Sequence, residues 1–176
     1  MKSSFTIRNL KKSDFNDVIN TYFSYYQELK ENPGIGLSLY RKRPTIAQER
    51  KWFASLLENV RKKNAIVIVA EMGGKVVGMC DVLSFRPGSS MDHKGLLGIA
   101  IHRDYRAHGI GSAMLKEAIN QSRRRFETIV LSSFSNNRGA IALYKRFGFK
   151  QYGFLRKSNK RDGKYFDESF FYLRLK

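Results

Sequence analysis

The segment from Leu96 to Ser112 has the residue pattern with the clearest chemical meaning. An apolar run, Leu96–Ile101, is followed by a polar turn and then by Arg106-Ala107-His108-Gly109-Ile110-Gly111-Ser112. A glycine-containing turn that leads from a strand into a helix directs successive backbone N–H groups outward, at the positive end of the helix dipole. Such a turn can bind an anion such as a pyrophosphate. The same glycines also suit a helix start that merely needs a tight turn, and the spacing alone does not decide between the two.

Two better-known phosphate-binding motifs are absent from this segment. The glycines form Gly-x-Gly without the third glycine of Gly-x-Gly-x-x-Gly, which excludes the dinucleotide-binding fingerprint. No Gly-Lys-Ser or Gly-Lys-Thr follows them, which excludes the P-loop. What remains is a turn that leads from a strand directly into a helix N-terminus.

A second motif, from Asn137 to Phe149, has the form Asn-x-x-Ala-x-x-Leu-Tyr-x-x-x-Gly-Phe. Together with Arg-x-x-Gly-x-Gly, which runs from Arg106 to Gly111, it resembles the GNAT superfamily of N-acetyltransferases. The resemblance covers nearly the whole chain and is most specific from Leu96 onward. It implies an enzyme that moves an acetyl group from acetyl-CoA, its co-substrate, to a primary amine. The amine would belong to a protein N-terminus, a lysine or a small amino compound.

The resemblance also implies which residues bind the coenzyme. In the family, the strand before the turn separates from its neighbour and offers backbone groups to the pantetheine arm, and the turn binds the pyrophosphate. Asn137 matches a residue that contacts the coenzyme or holds its helix, and Tyr144 matches a tyrosine beside the thioester sulfur. Tyr144 is the predicted catalytic residue, and no metal is expected. The predicted coenzyme-binding residues are Ile99, Ala100, Ile101, Arg106, Ala107, His108, Gly109, Ile110, Gly111, Ser112, Asn137 and Tyr144.

Acetyl transfer to an amine makes demands that can be stated without the family. A lysine-like amine has a pKa near 10.4, so forming the neutral nucleophile at pH 7 costs about 4.6 kcal/mol. The carbonyl oxygen gains negative charge and needs a fixed donor, which a backbone N–H of Ile99–Ile101 could supply. Because a tyrosine is less acidic than a thiol, full proton transfer from Tyr144 to the sulfur is uphill by about 2 kcal/mol. A hydrogen bond to the sulfur is therefore the expected role. Alternatively, Tyr144 is a core aromatic beside Leu143 and Phe147.

The general base is not identified by the sequence. Histone-type members carry a glutamate six residues before the position of Ile101, and here that position is Gly95. A base, or a water chain leading to one, is still required to take the amine proton. The remaining candidates, none of them favoured, are Asp81, Asp92, His93, Glu71 and Glu168.

The composition restricts the class of protein and of acceptor. The chain has 33 Lys and Arg against 15 Asp and Glu, hence a net charge of +18. With 42% hydrophobic and 13% aromatic residues, it is too apolar for a disordered chain. The positive field disfavours a polyamine acceptor and favours a neutral or acidic one. Cys80 is the only cysteine and has no His partner in local sequence, so direct transfer in a ternary complex is expected.

The basic runs differ in what they indicate. Arg61-Lys62-Lys63 and Arg123-Arg124-Arg125 close predicted helices, where cations offset the helix dipole. Arg41-Lys42-Arg43 and the stretch from Lys157 to Lys164 lie in loops that, by the resemblance, border the acceptor. The alternative function is a catalytically silent basic module with this fold that binds nucleic acid or the ribosome. No interleaved basic and aromatic pattern supports nucleic-acid binding.

One mixed α/β domain over residues 1–176 is expected to position these residues. The predicted order is β-α-α-β-β-β-α-β-α-β-β. The resemblance implies a mostly antiparallel sheet that is splayed between its fourth and fifth strands and flanked by helices. Ser13 and Thr45 are predicted N-caps, Thr45 within a Thr-x-x-Gln capping box, and Trp52 is predicted to lie in the core. A third helix is expected to begin at Gly109. The predicted strands are Thr6–Arg8, Ala65–Ala70, Val76–Val82, Leu96–Ile101, Thr128–Leu131, Phe149–Leu155 and Lys164–Leu175.

Targeting signals are also absent from the sequence pattern. Residues 1–20 contain no continuous apolar h-region, and no run approaches 18 uninterrupted apolar residues. A cytoplasmic protein without a membrane partner is therefore expected. The oligomeric state is left open, a homodimer included.

Overall fold

A central seven-stranded sheet organises residues 4–176, the part of the chain that the computed structural model describes. The strands lie in the order β1-β2-β3-β4-β5-β7-β6. They are β1 (Thr6–Asn9), β2 (Ala65–Met72), β3 (Lys75–Ser84), β4 (Lys94–Ile101), β5 (Thr128–Phe134), β6 (Lys150–Arg161) and β7 (Lys164–Arg174). The α-helices are α1 (Phe15–Glu31), α2 (Ile46–Arg61), α3 (Ile110–Ser122) and α4 (Arg138–Arg146).

The sheet is splayed at its centre. Neighbouring strands pair antiparallel except β4 and β5, which run parallel. Their pairing covers only three positions, from Lys94 opposite Thr128 to Leu96 opposite Val130. Both strands continue past the last pair, so a gap opens between them. The predicted mixed α/β fold and its splay between the fourth and fifth strands are confirmed.

Helices cover the sheet on both faces. On one face α3 and α4 pack against the sheet, and Met114 is fully buried in the same cluster as Val82 of β3. On the other face α1 and α2 cover β1 to β3, where Ile19 and Phe53 pack against Val69. Because β2 is covered on both faces, it is a continuous apolar run rather than an alternating one.

Of the two predicted N-caps, one is confirmed and one is wrong. The Thr45 hydroxyl accepts from the Gln48 N–H (3.2 Å), and Gln48 Oε1 accepts from the Thr45 N–H (2.8 Å), which completes the capping box. Ser13 instead lies in a short 3₁₀ turn, and α1 begins two residues later. The neighbouring Asp14 explains this difference, because its carboxylate accepts from the Lys11 N–H and from Arg8. Those bonds stabilise the turn in place of a serine cap.

The prediction that Trp52 belongs to the core is also wrong. Its side chain is 42% exposed at the edge of α2. It lines a shallow apolar pocket that Tyr22 and Tyr25 of α1, Met79 of β3 and Ala100 of β4 also line. The helical spacing correctly placed Trp52 beside the buried Phe53 face but could not show that the α2 layer ends there.

The last hairpin is longer than predicted. β6 extends to Arg161 rather than ending near Leu155, and its register against β7 shifts between Leu155 and Asn159. The extra residues form a bulge that bends the edge strand. Asp162 (φ 48°) and Gly163 (φ 77°) then form the predicted turn, because a tight hairpin turn favours Asp-Gly with two positive φ angles.

Within residues 4–176, the helices are all too short or too polar to cross a lipid bilayer.

Candidate active site

The gap between β4 and β5 exposes backbone groups of β4. The His102 N–H donates to the Val77 carbonyl (2.9 Å), which marks a hydrogen-bonded position of the antiparallel β3–β4 ladder. Because such a ladder alternates, the N–H and C=O groups of Ile99 and Ile101 point away from β3 and into the gap. Those of Ala100 face β3 instead. Of the three β4 residues predicted to contact the pantetheine arm, Ile99 therefore presents its N–H and C=O toward the gap, and Ile101 presents its N–H, since its carbonyl accepts from Arg106 Nε.

The turn after β4 ends at the N-terminus of α3. Ala107 (φ 65°) and Gly109 (φ 81°) are both left-handed, and Gly109 is the N-cap. The first backbone bond of the helix joins the Ala113 N–H to the Gly109 carbonyl (3.1 Å). The N–H groups of residues 110–112 precede that bond and have no helical acceptor. The predicted start of the helix at Gly109 is thus confirmed, and the turn presents donors at the positive end of a 13-residue helix.

The Arg106 side chain holds the turn against the rest of the protein. Its guanidinium binds both carboxylate oxygens of Glu28 in α1, at 2.5 and 2.7 Å, and its Nε donates to the Ile101 carbonyl at 2.9 Å. Glu28 is buried, so this is a bidentate ion pair with one enclosed partner. His108 lies on the outer side, with Nδ1 2.7 Å from the Arg106 carbonyl oxygen. Arg106 therefore positions the turn through contacts within the protein.

Arg146, at the last position of α4, lies beside the same turn. Its guanidinium donates to the hydroxyl of Ser112 in the first turn of α3. Both side chains are partly or largely exposed, so the positive charge of Arg146 faces the solvent next to the helix N-terminus. No local motif indicated this residue, because the two positions are brought together only by the packing of α4 beside α3.

Asn137 begins α4 and supports the loop between α1 and α2. Its Oδ1 accepts from the Ala140 N–H (3.2 Å), an N-cap bond. A Cβ placed on Gly36 would lie 2.7 Å from the Cβ of Asn137, so only glycine permits this approach of the loop. The neighbouring Asn136 donates to the Gly34 carbonyl (2.9 Å). The start of α4 and the α1–α2 loop therefore form one packed unit.

Tyr144 lies on the inner face of α4, almost fully buried. Its ring packs against Phe149 and Phe171 at centroid distances of 5.8 and 6.1 Å. Burial, and secondarily the nearby Cys80, raises the pKa of Tyr144, so its hydroxyl stays protonated and can only donate or accept a hydrogen bond. Burial likewise raises the pKa of the Cys80 thiol well above its usual value. A protonated, enclosed thiol is a poor nucleophile.

Two of the candidate bases are held in ion pairs away from the gap. Glu71 accepts from Arg8 at 2.8 Å near the outer edge of the sheet. Asp92 accepts from the Ser84 hydroxyl (2.6 Å) and from Arg125, and these two contacts lower the pKa of Asp92. Neither carboxylate is free to approach an amine in the gap.

The other three candidates differ in position. His93 precedes Lys94 at the start of β4, the opposite end of the strand from the α3 N-terminus. Glu168 accepts from the Ser158 hydroxyl at 2.5 Å, within the β6–β7 hairpin. Asp81 lies in β3, directly opposite Gly98 of β4. Among residues 4–176, no other side chain forms a hydrogen bond or an ion pair with it.

A cleft of about 420 Å³ lies between the α1–α2 loop and the end of the β6–β7 hairpin. Arg41 from the loop and Lys160 and Asp162 from the hairpin line it, and so does Phe134 at the end of β5. The two basic segments singled out in the sequence therefore meet at one cleft, although the second, 157–164, forms the end of the β6–β7 hairpin and is not the predicted loop. It contains more positive than negative side chains.

The acetyltransferase (GNAT) family profile matches residues 24–149, well over half of the chain. The chain belongs to this family.

Individual GNAT relatives agree with that membership. An uncharacterized N-acetyltransferase of Methanocaldococcus jannaschii is 30% identical over 151 residues, which are 84% of this chain and 62% of the relative. The L-amino acid N-acetyltransferase of Escherichia coli K12 is 33% identical over 103 residues, 57% of this chain and 62% of that protein. The chain thus spans about three-fifths of the length of these two curated relatives. A crystal structure of an N-acetyltransferase from Staphylococcus aureus Mu50 superimposes with a TM-score of 0.83 at 26% identity, over 99% of this chain and 100% of that one.

In this GNAT chain Arg161 connects the two sides of the cleft. Its guanidinium donates to the carbonyls of Pro33 (3.0 Å), Ile35 (2.8 Å) and Leu37 (2.5 Å) in the α1–α2 loop. It also lies 5.3 Å from the ring centroid of Phe134. Burial lowers the pKa of Arg161, yet a guanidinium remains charged at any physiological pH. One side chain therefore holds three loop carbonyls that have no strand partner.

Replacing Arg161 with Ala should raise the KM for the amine about tenfold and leave the Kd for acetyl-CoA unchanged. Each lost hydrogen bond costs about 1 kcal/mol, and the family resemblance implies that this loop borders the acceptor. Steady-state kinetics and calorimetry measure the two constants. Arg156→Ala, on the exposed bulge of β6, is the matched control and should match wild type. An equal effect of both variants would show that the charge, not the loop contact, matters.

Arg161 belongs to the basic stretch 157–164 singled out in the sequence, but no pattern distinguished it from its neighbours, and none indicated Arg146 or Glu28. Each acts through a partner at least 34 residues away in the chain. Their residue types are common on helices and in hairpins, so only the fold distinguishes them.

Proposed function

We propose that this GNAT protein transfers an acetyl group from acetyl-CoA directly to a primary amine within a ternary complex. One observation carries the proposal. The gap between β4 and β5 leads directly to the N-terminus of α3, and the N–H and C=O of Ile99 and the N–H of Ile101 face it. A pantetheine arm with its two amides can pair with such a strand edge as another strand would.

The proposed coenzyme site has three parts. The pantetheine arm lies along Ile99–Ile101, and the pyrophosphate binds the N–H groups of the turn that ends in residues 110–112. Arg146 adds a cation beside that turn, where it can contact a phosphate oxygen. Arg106 acts indirectly here, since its side chain is engaged by Glu28. The backbone groups of Ala100 face β3 and do not contact the pantetheine arm. Its side chain lies on the face of β4 opposite to the side chains of Ile99 and Ile101.

In the proposed reaction the neutral amine attacks the thioester carbonyl, a C–N bond forms and the C–S bond breaks. The backbone N–H of Ile99 or Ile101 stabilises the oxyanion. The Tyr144 hydroxyl donates a hydrogen bond to the departing sulfur, and its raised pKa supports this role over full proton transfer. Of the two protons that the ammonium nitrogen loses, one is released to a base and the other passes to the sulfur, so the coenzyme leaves as a thiol.

The proposed acceptor is a small amine that also carries a carboxylate. Arg41 and Lys160 in the cleft favour an anion, and the net charge of +18 repels a polycation. The E. coli relative is named for the acetylation of L-amino acids, which are amines of this kind. The alternative of a catalytically silent module for nucleic acid or the ribosome gains no support from the comparisons.

Free thiol released from acetyl-CoA in the presence of a panel of amines tests this function. Amino acids should give saturable release, and spermidine should give little. Tyr144→Phe should lower kcat about 10- to 100-fold with the Kd for acetyl-CoA within twofold, because a hydrogen bond to a charged sulfur contributes about 1.5–3 kcal/mol. Tyr152→Phe, an exposed tyrosine of β6, is the control. An unchanged kcat in Tyr144→Phe would contradict the role of Tyr144, and no acetyl-CoA binding would contradict the function itself.

A further inference from the structure

We propose that Asp81 accepts the proton of the amine substrate, directly or through one water molecule. This inference rests on the proposed acetyltransferase function. It assigns the general base to a strand that carries none of the predicted coenzyme-binding residues, on the face of the sheet opposite α3 and α4.

The first argument is position. Asp81 lies opposite Gly98 in the β3–β4 ladder, and Gly98 is two residues beyond Leu96, the last residue of β4 that pairs with β5. Side chains two residues apart share a face of a strand. Gly98 therefore lies on the same face as Leu96 and Ala100, at the point where the gap opens.

The second argument is the direction of the carboxylate. A Cβ placed on Gly98 would lie 3.1 Å from Oδ1 of Asp81, so the carboxylate extends over β4 toward the gap. It can do so because Gly98 has no side chain. Ala100 is about 7 Å farther along the strand, the rise of two residues, which one water molecule and an amine nitrogen can span.

The third argument is the electrostatic surroundings. The residues on either side of Asp81 on the same strand face are Met79 and Leu83, and the residue opposite it in β2 is Val67. No charged side chain of residues 4–176 forms an ion pair with it. Burial raises the pKa of Asp81 to about 7, with only its own backbone N–H acting in the other direction. A proton acceptor works best when its pKa lies near the working pH.

The proton balance is simple. The ionised Asp81 carboxylate takes one proton from the ammonium form of the substrate and becomes a neutral carboxylic acid. The amine lone pair then forms the C–N bond as the C–S bond breaks, and a second nitrogen proton passes to the departing sulfur, which leaves as a thiol. After the products leave, Asp81 returns its proton to solvent. The net reaction releases one proton per acetyl group transferred.

The pH profile of kcat/KM separates this role from a structural one. In the wild type, log(kcat/KM) plotted against pH should rise with slope 1 up to about pH 7, as Asp81 ionises. Above pH 7 it should stay level, because Asp81 is ionised and the ammonium form of the substrate is still abundant. Asp81→Asn should be about 100-fold slower at pH 7, the lower end of general-base effects. For this variant, log(kcat/KM) should keep rising with slope 1 toward the pKa of the amine, near 10. The rate difference between the variant and the wild type should therefore shrink at high pH.

Three variants serve as controls. Asp81→Glu should restore part of the rate and the level region, because it keeps a carboxyl group. Gly98→Ala should impair turnover with little change in acetyl-CoA binding, because its methyl group displaces the carboxylate. Glu71→Gln, a carboxylate already paired with Arg8 at the sheet edge, should keep the wild-type profile.

A measurement without substrate keeps the proposal testable if a variant folds poorly. The ¹³C signal of the Asp81 carboxyl group in the wild-type protein, assigned by its absence in Asp81→Asn, should titrate near pH 7. A midpoint near 4, or a level wild-type-like profile in Asp81→Asn, would overturn the role of Asp81 alone. A wild type that releases no thiol with any amine would overturn the proposed function itself.

Discussion

Replacing Arg106 with Ala should lower the free energy of unfolding by about 2–3 kcal/mol and the melting temperature by about 5–10 °C. The variant leaves the Glu28 carboxylate buried, with an exposed side-chain fraction of 11%, and without its guanidinium partner. This expected loss of stability is at the low end of the range for a broken buried ion pair, because Arg106 itself is 38% exposed. Thermal unfolding followed by circular dichroism measures the change.

The same variant should weaken acetyl-CoA binding by roughly tenfold, since the turn loses about 1–2 kcal/mol of hydrogen bonds that position it. The Ile101 carbonyl loses its donor at the end of β4, and the loop is no longer tied to α1. Isothermal titration calorimetry with acetyl-CoA gives the affinity at a temperature where both proteins are folded.

Arg103→Ala is the matched control for Arg106. Arg103 forms an ion pair from the same loop to the same helix, with Glu31, but both partners are largely exposed. Solvent screens such a pair, so the melting temperature should stay within about 2 °C of wild type. Equal destabilisation by the two variants would mean that the loop, rather than the enclosed pair, determines the effect.

Replacing Gly95 with Ala should destabilise the fold by about 2–3 kcal/mol, because the added methyl group overfills a packed core. A Cβ at this position would lie 2.4 Å from Val82 Cγ1 and 3.1 Å from the ring of Phe126, and both of these residues are fully buried. Gly95→Glu should be worse and yield little folded protein, since it also buries an unpaired carboxylate. Chemical denaturation of the alanine variant and the soluble yield of the glutamate variant measure these effects.

Gly139→Ala is the control for Gly95→Ala. Gly139 lies within α4, where an added Cβ would meet no atom within 4 Å. Alanine should stabilise this helix by up to about 1 kcal/mol, because it has the higher helix propensity. If Gly95→Ala were as stable as Gly139→Ala, the core around Val82 would have room for a side chain at the position where histone-type members carry glutamate. Steric crowding would then not explain why this chain has glycine, and no general base, at position 95.

Local signals in the sequence were sufficient for several elements of the fold. The capping box at Thr45 involves residues three positions apart, and the start of α3 at Gly109 depends on one left-handed residue. Such features form from neighbours in the chain and therefore can be predicted from it. The Ser13 cap failed because Arg8, five residues earlier, stabilises Asp14 in a different turn.

The parts of the site that the sequence could not predict depend on long-range packing. Glu28 and Arg106 are 78 residues apart in the chain, and Arg161 and Ile35 are 126 apart. Asp81 was one of five equal candidates until the register placed it opposite Gly98. The family motifs indicated where a coenzyme could bind, whereas the choice among carboxylates needed the order of the strands.

The short contact between β4 and β5 divides the sheet into two panels. Asp81 belongs to the panel of β1 to β4, whereas Tyr144 packs on Phe171 of the panel formed by β5 to β7. Only three residue pairs join the panels through strand pairing, but a shared buried core, which includes Val82 of β3 and Leu131 of β5, also holds them together. A coenzyme in the gap would fill the space that strand pairing leaves open, between the proton acceptor and the donor to sulfur. We therefore expect an ordered reaction in which acetyl-CoA binds first and the amine binds to a geometry that the coenzyme has completed.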